Sequence, residues 1–540
     1  MAPARLDRPQ SVVLDSATRL CAILKRISRR KILVCLLAGL AAMTVRIAAL
    51  PLIPIPQPVV HDEFAYLLGS ETFAAGRLAN PTPPMWIHIE TLHENFQPTY
   101  ASKYPPLQSL LMSVGLKLVG NSWFGVCLTF GLMCAALCWM LQGWVPPFWA
   151  LIGTLLGIAQ IGIFSYWMDS YWGGAACMAA GCLMLGALPR LARKPTAGAA
   201  ALGSLGLMML ANCRPFEGSV TALAAGVALI WWRRRIRRPV SELFSLRILA
   251  PFAVICGLSV AWIAYYNYRV TGNPLLLPYA VNARTYMVNP QFFFMPRKAT
   301  VPQYHHEMLR RYWAEWCLGM WARAHQNPLT ILRFLPDLRF YLSWPLAVAT
   351  LAGILIARSR KVRIALAILG AGLLALLVQV GFQPHYFAPA AALLLLPILA
   401  AVRYMVARSG PYGPLLLVLF LLLAVKHDAG VFVAAAHDRR AARLVHRDVY
   451  ASQLVRPQVE QQLASLGGQH VVIVRYPPQH DPNRNFEVVY NHADLDASTV
   501  IWARDMGPDA NRELLQYYSG RRFWLLDPDA KPWVLAPYTE

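Results

Sequence analysis

The sequence predicts a polytopic α-helical membrane protein of about eleven transmembrane helices, with a small C-terminal extracytoplasmic α/β domain. Hydrophobic residues make up 57% of the 540 positions and charged residues only 14%, whereas about a quarter of the residues of a soluble protein are charged. Apolar runs near the ~20 residues that cross a bilayer recur as far as residue 425. Beyond residue 433 the apolar runs shorten to the length of strands.

The net charge of +23 is distributed as in a membrane protein. Its basic clusters lie in short segments between apolar runs, for example at residues 190–194 and 233–238. Cytoplasmic loops carry this excess of Lys and Arg, so the pattern places the N-terminus in the cytoplasm and the C-terminal domain outside. The same placement argues against a nucleic-acid partner, which would require a basic patch on one surface.

The transmembrane module is predicted over residues 32–433, after a basic cytoplasmic tail of residues 1–31. Its first span covers residues 31–51 and reads as an uncleaved anchor, because prolines rather than a cleavage site follow. Arg46, in the outer half of this span, is expected to reach the headgroups or to contact a lipid phosphate. The predicted outer loops are residues 54–121, 165–174 and 268–330. Residues 105–119 are apolar but short, which favours an interfacial or re-entrant helix.

The last region, residues 434–540, changes character. Strand-like runs at 470–476, 499–503 and 522–526 alternate with helix-like stretches at 453–466 and 509–518. Acidic and basic residues nearly balance here, which favours a small α/β domain outside the membrane. Gly467-Gly468 alone does not make a nucleotide-binding fingerprint.

Acidic residues before this domain gather on the predicted outer side. Acids contribute little to membrane orientation, so an outward-facing acidic site is the simplest explanation. Asp62 and Glu63 are its strongest signal. Neighbouring residues of a helix point about 100° apart, so only one of the two can face a given substrate atom, where it could accept a proton from an attacking hydroxyl. The alternative is a solvated helix start, where acids are favoured.

Other polar residues lie near predicted outer ends of spans. Asp169 is either a second acid of the same site or part of a polar turn in an aromatic belt. Lys103, followed by Tyr104, could hold a phosphate or be an ordinary interfacial lysine. Arg214 and Glu217 could form a local salt bridge or a polar pocket.

Two histidine-containing groups complete the candidates. His385 and Tyr386 could hydrogen-bond a sugar or phosphate, or form an interfacial aromatic pair. A second group suggests a metal site, but its spacing does not place both histidines on one helical face; it consists of His88, Glu90, His93 and Glu94.

The order of these motifs resembles the GT-C superfamily of membrane glycosyltransferases, which includes protein O-mannosyltransferases and lipid A aminoarabinose transferases. An acidic pair follows the first span, then a Lys-Tyr-Pro-Pro-Leu segment at residues 103–107, and then Asp169 in the second outer loop. His385-Tyr386 at a late span and the outer α/β domain complete the resemblance, which is to the bacterial branch of the family.

The resemblance implies transfer of a sugar from a polyprenyl-phosphate donor to an acceptor hydroxyl, with inversion, on the outer face of the bacterial inner membrane. The acceptor would be a glycan, a lipid or a protein. Position by position, Asp62 resembles the catalytic acid of the first loop, with Glu63 as the alternative, and Asp169 resembles the acid of the second loop. Lys103 resembles the phosphate-side cation, although the family often reads Lys-Pro-Pro and Tyr104 intervenes here.

We expect Lys103, together with Arg214 or Arg284, to stabilise the departing phosphate. No cofactor is certain from the sequence. Some members of the family bind a divalent metal between acids, and the sequence leaves this open. A secondary transporter and a non-catalytic binder of lipid-linked glycans are the alternatives. A transporter would carry its polar residues near the middle of the membrane, whereas here they gather at the outer ends of the spans.

Overall fold

The protein is described as a computed structural model over residues 8–172, 174–356, 359–437, 455–481 and 487–539, and it is mostly helical. The first helices are α1 (Arg8–Ser28), α2 (Lys31–Ala48), α3 (His61–Ala74), α4 (Trp86–Ile89), α5 (Leu107–Val119), α6 (Trp123–Trp144), α7 (Pro147–Ile161), α8 (Gly174–Arg193), α9 (Ala197–Ala211) and α10 (Pro215–Arg235). The next are α11 (Leu246–Thr271), α12 (Pro278–Tyr286), α13 (Glu307–Arg310), α14 (Leu318–Gln326), α15 (Trp344–Ile356), α16 (Arg360–Leu377), α17 (Ala388–Ala391), α18 (Leu395–Arg408) and α19 (Gly413–His437).

Shorter helical turns connect several of these elements. A π-helix covers Arg311–Cys317 between α13 and α14. The 3₁₀ turns are Val240–Phe244, Pro328–Phe340, Pro384–Tyr386, Ala392–Leu394 and Gly410–Tyr412. The predicted outer loop at residues 268–330 is therefore largely helical.

Among the described residues, five helical segments are long and apolar enough to cross a bilayer. They are α2, α6, α8, α11 and the continuous segment Ala388–Arg408. The apolar stretch at residues 334–356 belongs to two helical segments, Pro328–Phe340 and Trp344–Ile356, that meet at an angle of 103°. Counted as one broken span, this pair gives six, so the predicted number of eleven stays a prediction. The shorter apolar helices α7 and α9 correspond to two other predicted spans, and α5 corresponds to the predicted interfacial or re-entrant helix.

The bundle is organised around α6 and α8. In the most apolar stretch of each helix, 72% of the residues of α6 and 83% of those of α8 are buried. By contrast, only 11% of the residues in the most apolar stretch of α11 are buried, and the side chains of Leu258 and Val260 are exposed. An apolar surface of this size on the outside of a helix bundle is what lipid, and not water, stabilises. The bundle is therefore membrane-embedded.

The predicted N-terminal tail contains the ordered helix α1. Its Ala17 is buried, and Leu24 packs against the core of the bundle. Val13, Leu20 and Ile27 follow one another at seven-residue spacing and are exposed, so α1 presents a second apolar stripe away from the bundle.

The C-terminal region forms a small α/β domain, as predicted. Its helices are α20 (Val455–Leu466) and α21 (Pro508–Tyr517), and its strands are β3 (His470–Val474), β4 (Val500–Arg504), β5 (Arg522–Asp527) and β6 (Val534–Pro537). The strand order is β4-β3-β5-β6. Strand β3 is parallel to both of its neighbours, β4 and β5, whereas β6 is antiparallel to β5. The predicted boundary at residue 434 falls inside α19, and residues 438–454 lie outside the described residues.

The α/β domain shares a hydrophobic core with the loop that follows the first span. Leu68 of α3, Ile89 and Phe96 are buried in one cluster with Val471 and Ile501 of the sheet. In this loop, β1 (Glu94–Asn95) pairs antiparallel with β2 (Ala101–Ser102). The domain therefore packs directly against the segment that carries the acidic pair.

Candidate active site

Asp62 and Glu63, the first acids of α3, have different environments. The Glu63 carboxylate accepts hydrogen bonds from the backbone N–H groups of Val59 and Val60, at 2.8 and 2.9 Å, and from that of Tyr171 at 2.8 Å. It is fully buried, and burial raises its pKa. Glu63 thus closes the start of α3 and ties it to residue 171, which leaves Asp62 as the acid that can meet a substrate.

The side chain of Asp62 is 20% exposed. Its Oδ1 accepts a hydrogen bond from the Tyr104 hydroxyl. Its Oδ2 lies 3.1 Å from Nδ1 of His61 and 4.0 Å from Nε2 of His93. Burial opposes the charge, but the contact with His61 and the positive charge of Lys103 hold the pKa of Asp62 below its usual value. Asp62 is therefore a carboxylate at neutral pH.

Lys103 and His93 are brought together by the short β1–β2 pairing. The backbone N–H of Lys103 donates to the carbonyl of His93 at 3.1 Å, and Nζ of Lys103 lies 2.6 Å from Nδ1 of His93. Burial lowers the pKa of Lys103 to about 8, although the charge of Asp62 favours protonation. Burial also holds the pKa of His93 well below its ordinary value, so His93 is neutral.

Aromatic rings enclose the Lys103 ammonium. Its Nζ lies 5.1 Å from the centroid of the Tyr104 ring and 5.3 Å from those of Tyr279 and Trp313. Cations are attracted to the faces of such rings. Trp313 belongs to the π-helix, and such single π turns are frequent at functional sites.

The backbone of His93 adopts a positive φ of 66°. Residues other than glycine seldom adopt this conformation, and where they do the surrounding structure holds them in place. The conformation directs the His93 ring between Lys103 and Asp62.

Three side chains offer ligand atoms within 4.8 Å of one another: His61, Asp62 and His93. The state of His93 does not suit a divalent ion. Its Nδ1 accepts from the Lys103 ammonium, so the ring proton is on Nε2, the nitrogen that faces Asp62. If Nε2 bound a metal, the ring proton would move to Nδ1, where its N–H would point at the Lys103 ammonium, and two hydrogen-bond donors that face each other repel. Lys103 thus supplies the positive charge here.

A second cation lies immediately before the first residue of α10. The guanidinium carbon of Arg214 is 4.0 Å from the centroid of the Tyr386 ring, and its charge is close enough to Lys103 to disfavour protonation there. The neighbouring acid Glu217 is buried and accepts a hydrogen bond from Gln379 at 3.2 Å. Of the two predicted arrangements for Arg214 and Glu217, this geometry favours the polar pocket.

His385 is buried, and its Nδ1 lies 3.3 Å from the Tyr166 hydroxyl. Burial, together with the charge of Arg214, holds the pKa of His385 well below its ordinary value, so the ring is neutral. Trp172 packs against it at 5.2 Å between ring centroids. His385 and Tyr386 thus join the second predicted loop to Arg214.

Asp169 is engaged by Arg46. The Nε of Arg46 lies 2.6 Å from Oδ1 of Asp169, and both side chains are buried. Arg46 also donates to the carbonyls of Ile53 and Pro54. Both expectations for Arg46 were wrong, because it reaches neither headgroups nor a lipid phosphate. Asp169 is the buried counter-ion of Arg46, and its catalytic role stays a prediction.

Several candidates lie away from Asp62. Arg284 is exposed, and among the described residues it makes no side-chain contact with Asp62, Lys103 or His93. Glu90 accepts from Tyr286 at 2.7 Å and lies 3.0 Å from His305, while His88 lies 3.2 Å from the carbonyl of Ala510. Of the four residues that suggested a metal from sequence, His93 turns toward Asp62. Sequence reasoning missed Tyr279 and Trp313, for which the only signal was the high aromatic content of residues 268–330.

No protein-family model matches the sequence, and no curated protein matches it. A solved structure with some likeness is that of the Archaeoglobus fulgidus oligosaccharyltransferase tethered to an acceptor peptide; it has 10% sequence identity and a TM-score of 0.42, covering 91% of this chain and 69% of that one. A TM-score below 0.5 does not define a shared fold.

Proposed function

We propose that this protein is a GT-C-like glycosyltransferase that moves a sugar from a polyprenyl-phosphate donor to an acceptor hydroxyl at the extracytoplasmic face of a membrane. The observation that carries the proposal is the partly exposed carboxylate of Asp62 with the Lys103 ammonium near it, and with a second cation, Arg214, close to Lys103. A carboxylate with one cation near it and a second cation beyond, at the end of an apolar bundle, suits a reaction that takes a proton from one group and releases a phosphate from another.

In the proposed reaction the acceptor hydroxyl oxygen attacks the anomeric carbon of the donor, on the face opposite the phosphate. The bond from this carbon to the phosphate oxygen breaks, and polyprenyl phosphate leaves with the electron pair. The hydroxyl proton passes to Asp62. A carboxylate of low pKa is a weak base toward a free alcohol, but the hydroxyl becomes acidic as its oxygen bonds to the sugar, so the proton can leave late in the step.

The positive charges of Lys103 and Arg214 would stabilise the negative charge that develops on the phosphate. The apolar surface of the bundle would accept the polyprenyl chain, so that only the phosphate and sugar reach the polar end. Nucleotide sugars are cytoplasmic, and an outward-facing site therefore needs a donor that lipid has carried across the membrane. Asp169 is assigned to holding Arg46, and Glu63 to closing the start of α3.

The proposal is tested by supplying the purified protein in lipid vesicles with synthetic polyprenyl-phosphate sugars and a mixture of envelope glycans, lipids and proteins as acceptors. The proposal expects release of polyprenyl phosphate that depends on the acceptor. Binding of the donor without release would favour a non-catalytic binder instead, and movement of the intact donor across the vesicle membrane would favour a transporter.

A further inference from the structure

The α/β domain holds the helix that carries Asp62. Three residues of α3 at helical spacing face the domain: Phe64, Leu68 and Glu71. The ring of Phe64 stacks on that of Tyr490, with centroids 4.0 Å apart and planes 1° from parallel. Leu68 is buried in the core shared with the sheet. Because residues four and seven positions apart lie on one face of a helix, a single face of α3 contacts the domain.

Further along this face, Glu71 contacts the same segment of the domain. Its Oε2 accepts from the backbone N–H of Ala493 at 2.8 Å, and its Oε1 lies 2.7 Å from Nδ1 of His492. Tyr100 of the loop donates to the carbonyl of Asn491 at 3.1 Å. Each of residues 490–493, which we call the docking strip, therefore contacts either α3 or the loop that follows it.

The docking strip is itself firmly held in the domain. The side chain of Asn491 makes two hydrogen bonds, of 2.8 and 2.9 Å, with the backbone of Trp502 in β4. Arg456 of α20 donates to the carbonyls of Val488 and Tyr490. Because the docking strip is fixed to the sheet and to α20, the position of α3 depends on the position of the domain.

The opposite side of α3 packs closely on α5. Ser109 donates to the carbonyl of Tyr66 at 2.9 Å, and a Cβ added at Gly69 would come within 2.5 Å of the Ser109 hydroxyl. The helix therefore lies between α5 and the docking strip, with Asp62 in its first turn.

We propose that the docking strip positions Asp62 for the transfer reaction, with the stack of Tyr490 on Phe64 as the main contact. The inference rests on the proposed function and adds a role for the C-terminal domain. A displacement of about 1 Å in a reacting group can cost roughly a hundredfold in rate, so loosening α3 lowers turnover even where the donor still binds.

The test compares Tyr490→Ala with Tyr490→Phe in the full-length protein. The Tyr490 hydroxyl is buried, and among the described residues it has no hydrogen-bond partner, so Tyr490→Phe keeps the stack and is the matched control. Two quantities are measured: amide hydrogen exchange across α3, and kcat and KM with a synthetic polyprenyl-phosphate hexose that the wild type turns over. Exchange in β3 and β5 reports whether the domain stays folded.

For Tyr490→Ala we expect faster exchange in the first half of α3, a fall in kcat of roughly 10- to 100-fold and a KM close to that of the wild type, while Tyr490→Phe matches the wild type. The loss in kcat should also shrink when Asp62 is already asparagine, because the strip acts through Asp62. If Tyr490→Ala does not fold, Phe64→Leu removes the stack from the other side and must give the same changes.

Unchanged exchange in α3, or faster exchange with unchanged kcat, would overturn the positioning role. A Tyr490→Phe variant as impaired as Tyr490→Ala would overturn the assignment to the ring stack. If the wild type releases no polyprenyl phosphate but α3 still loosens in Tyr490→Ala, the strip holds α3 as inferred and the proposed glycosyl transfer has failed.

Discussion

The ammonium of Lys103 lies 2.6 Å from Nδ1 of His93, and the other ring nitrogen of His93 faces Asp62 at 4.0 Å. A neutral imidazole thus stands between the cation and the carboxylate. The contact with the ammonium fixes which nitrogen of His93 carries the proton, and it gives Lys103 a hydrogen-bond acceptor next to a base that must be ionised.

The first prediction concerns pH. The pKa of Lys103 is lowered to about 8, so Lys103 loses its charge as the pH rises through that value. The rate of transfer should fall above about pH 8. In Lys103→Arg the guanidinium stays charged to a much higher pH, so this decline should move upward even if the maximal rate is lower. Initial rates between pH 6 and pH 10 check this. An alkaline decline unchanged in Lys103→Arg would assign it to another group.

The second prediction concerns His93. Its backbone φ is 66°, which asparagine tolerates better than most residues. We expect His93→Asn to fold with nearly wild-type thermal stability and to lose roughly tenfold or more in kcat, because the imidazole that lies between Lys103 and Asp62 is removed. Thermal unfolding and turnover of the same preparation test this. Loss of stability with unchanged kcat per folded molecule would make His93 structural.

The third prediction concerns Arg46 and Asp169. Removing one partner of a buried ion pair costs about 3–5 kcal/mol, because it leaves the other charge unpaired. We expect Asp169→Asn to be strongly destabilised, and Arg46→Met with Asp169→Leu to recover much of that stability and the transfer activity with it. Unfolding and turnover measured on both variants check this. A double variant that folds well but has no transfer activity would indicate that Asp169 has a catalytic role.

The fourth prediction concerns the contact of Glu71 with His492. The hydrogen bond to Glu71 raises the pKa of His492 above its ordinary value. The stabilisation is therefore complete below the unfolded pKa of about 6.5 and is lost as the pH rises through the higher folded value. Exchange of the Ala493 amide, corrected for the intrinsic effect of pH, should quicken across this range in the wild type. The same increase in His492→Gln would show that another group is responsible.

Much of the α/β domain was predictable from its sequence. The predicted strand at residues 522–526 agrees closely with Arg522–Asp527, and the predicted helix at 509–518 with Pro508–Tyr517. Short apolar runs between polar turns allow few other arrangements. Adjacent acids at the start of a helix were also readable, because acids favour that position.

The tertiary pairs were not predictable. Arg46 and Asp169 are separated by 123 positions, and hydropathy alone favoured a lipid-facing arginine. The contact of Lys103 with His93 depends on the register of two-residue strands, which leave no periodic pattern. Hydropathy also cannot reveal the bend of 103° before α15, because it reports how apolar a segment is and not its direction.

The central claim is that the carboxylate of Asp62 takes part in glycosyl transfer, and Asp62→Asn tests it most directly. Asp509, whose side chain is 96% exposed on the α/β domain, provides the same chemical change as a control in Asp509→Asn. The measurement is acceptor-dependent release of polyprenyl phosphate by each folded variant. The account predicts a loss of at least roughly a hundredfold for Asp62→Asn and none for Asp509→Asn. Turnover of Asp62→Asn near that of the wild type would contradict it.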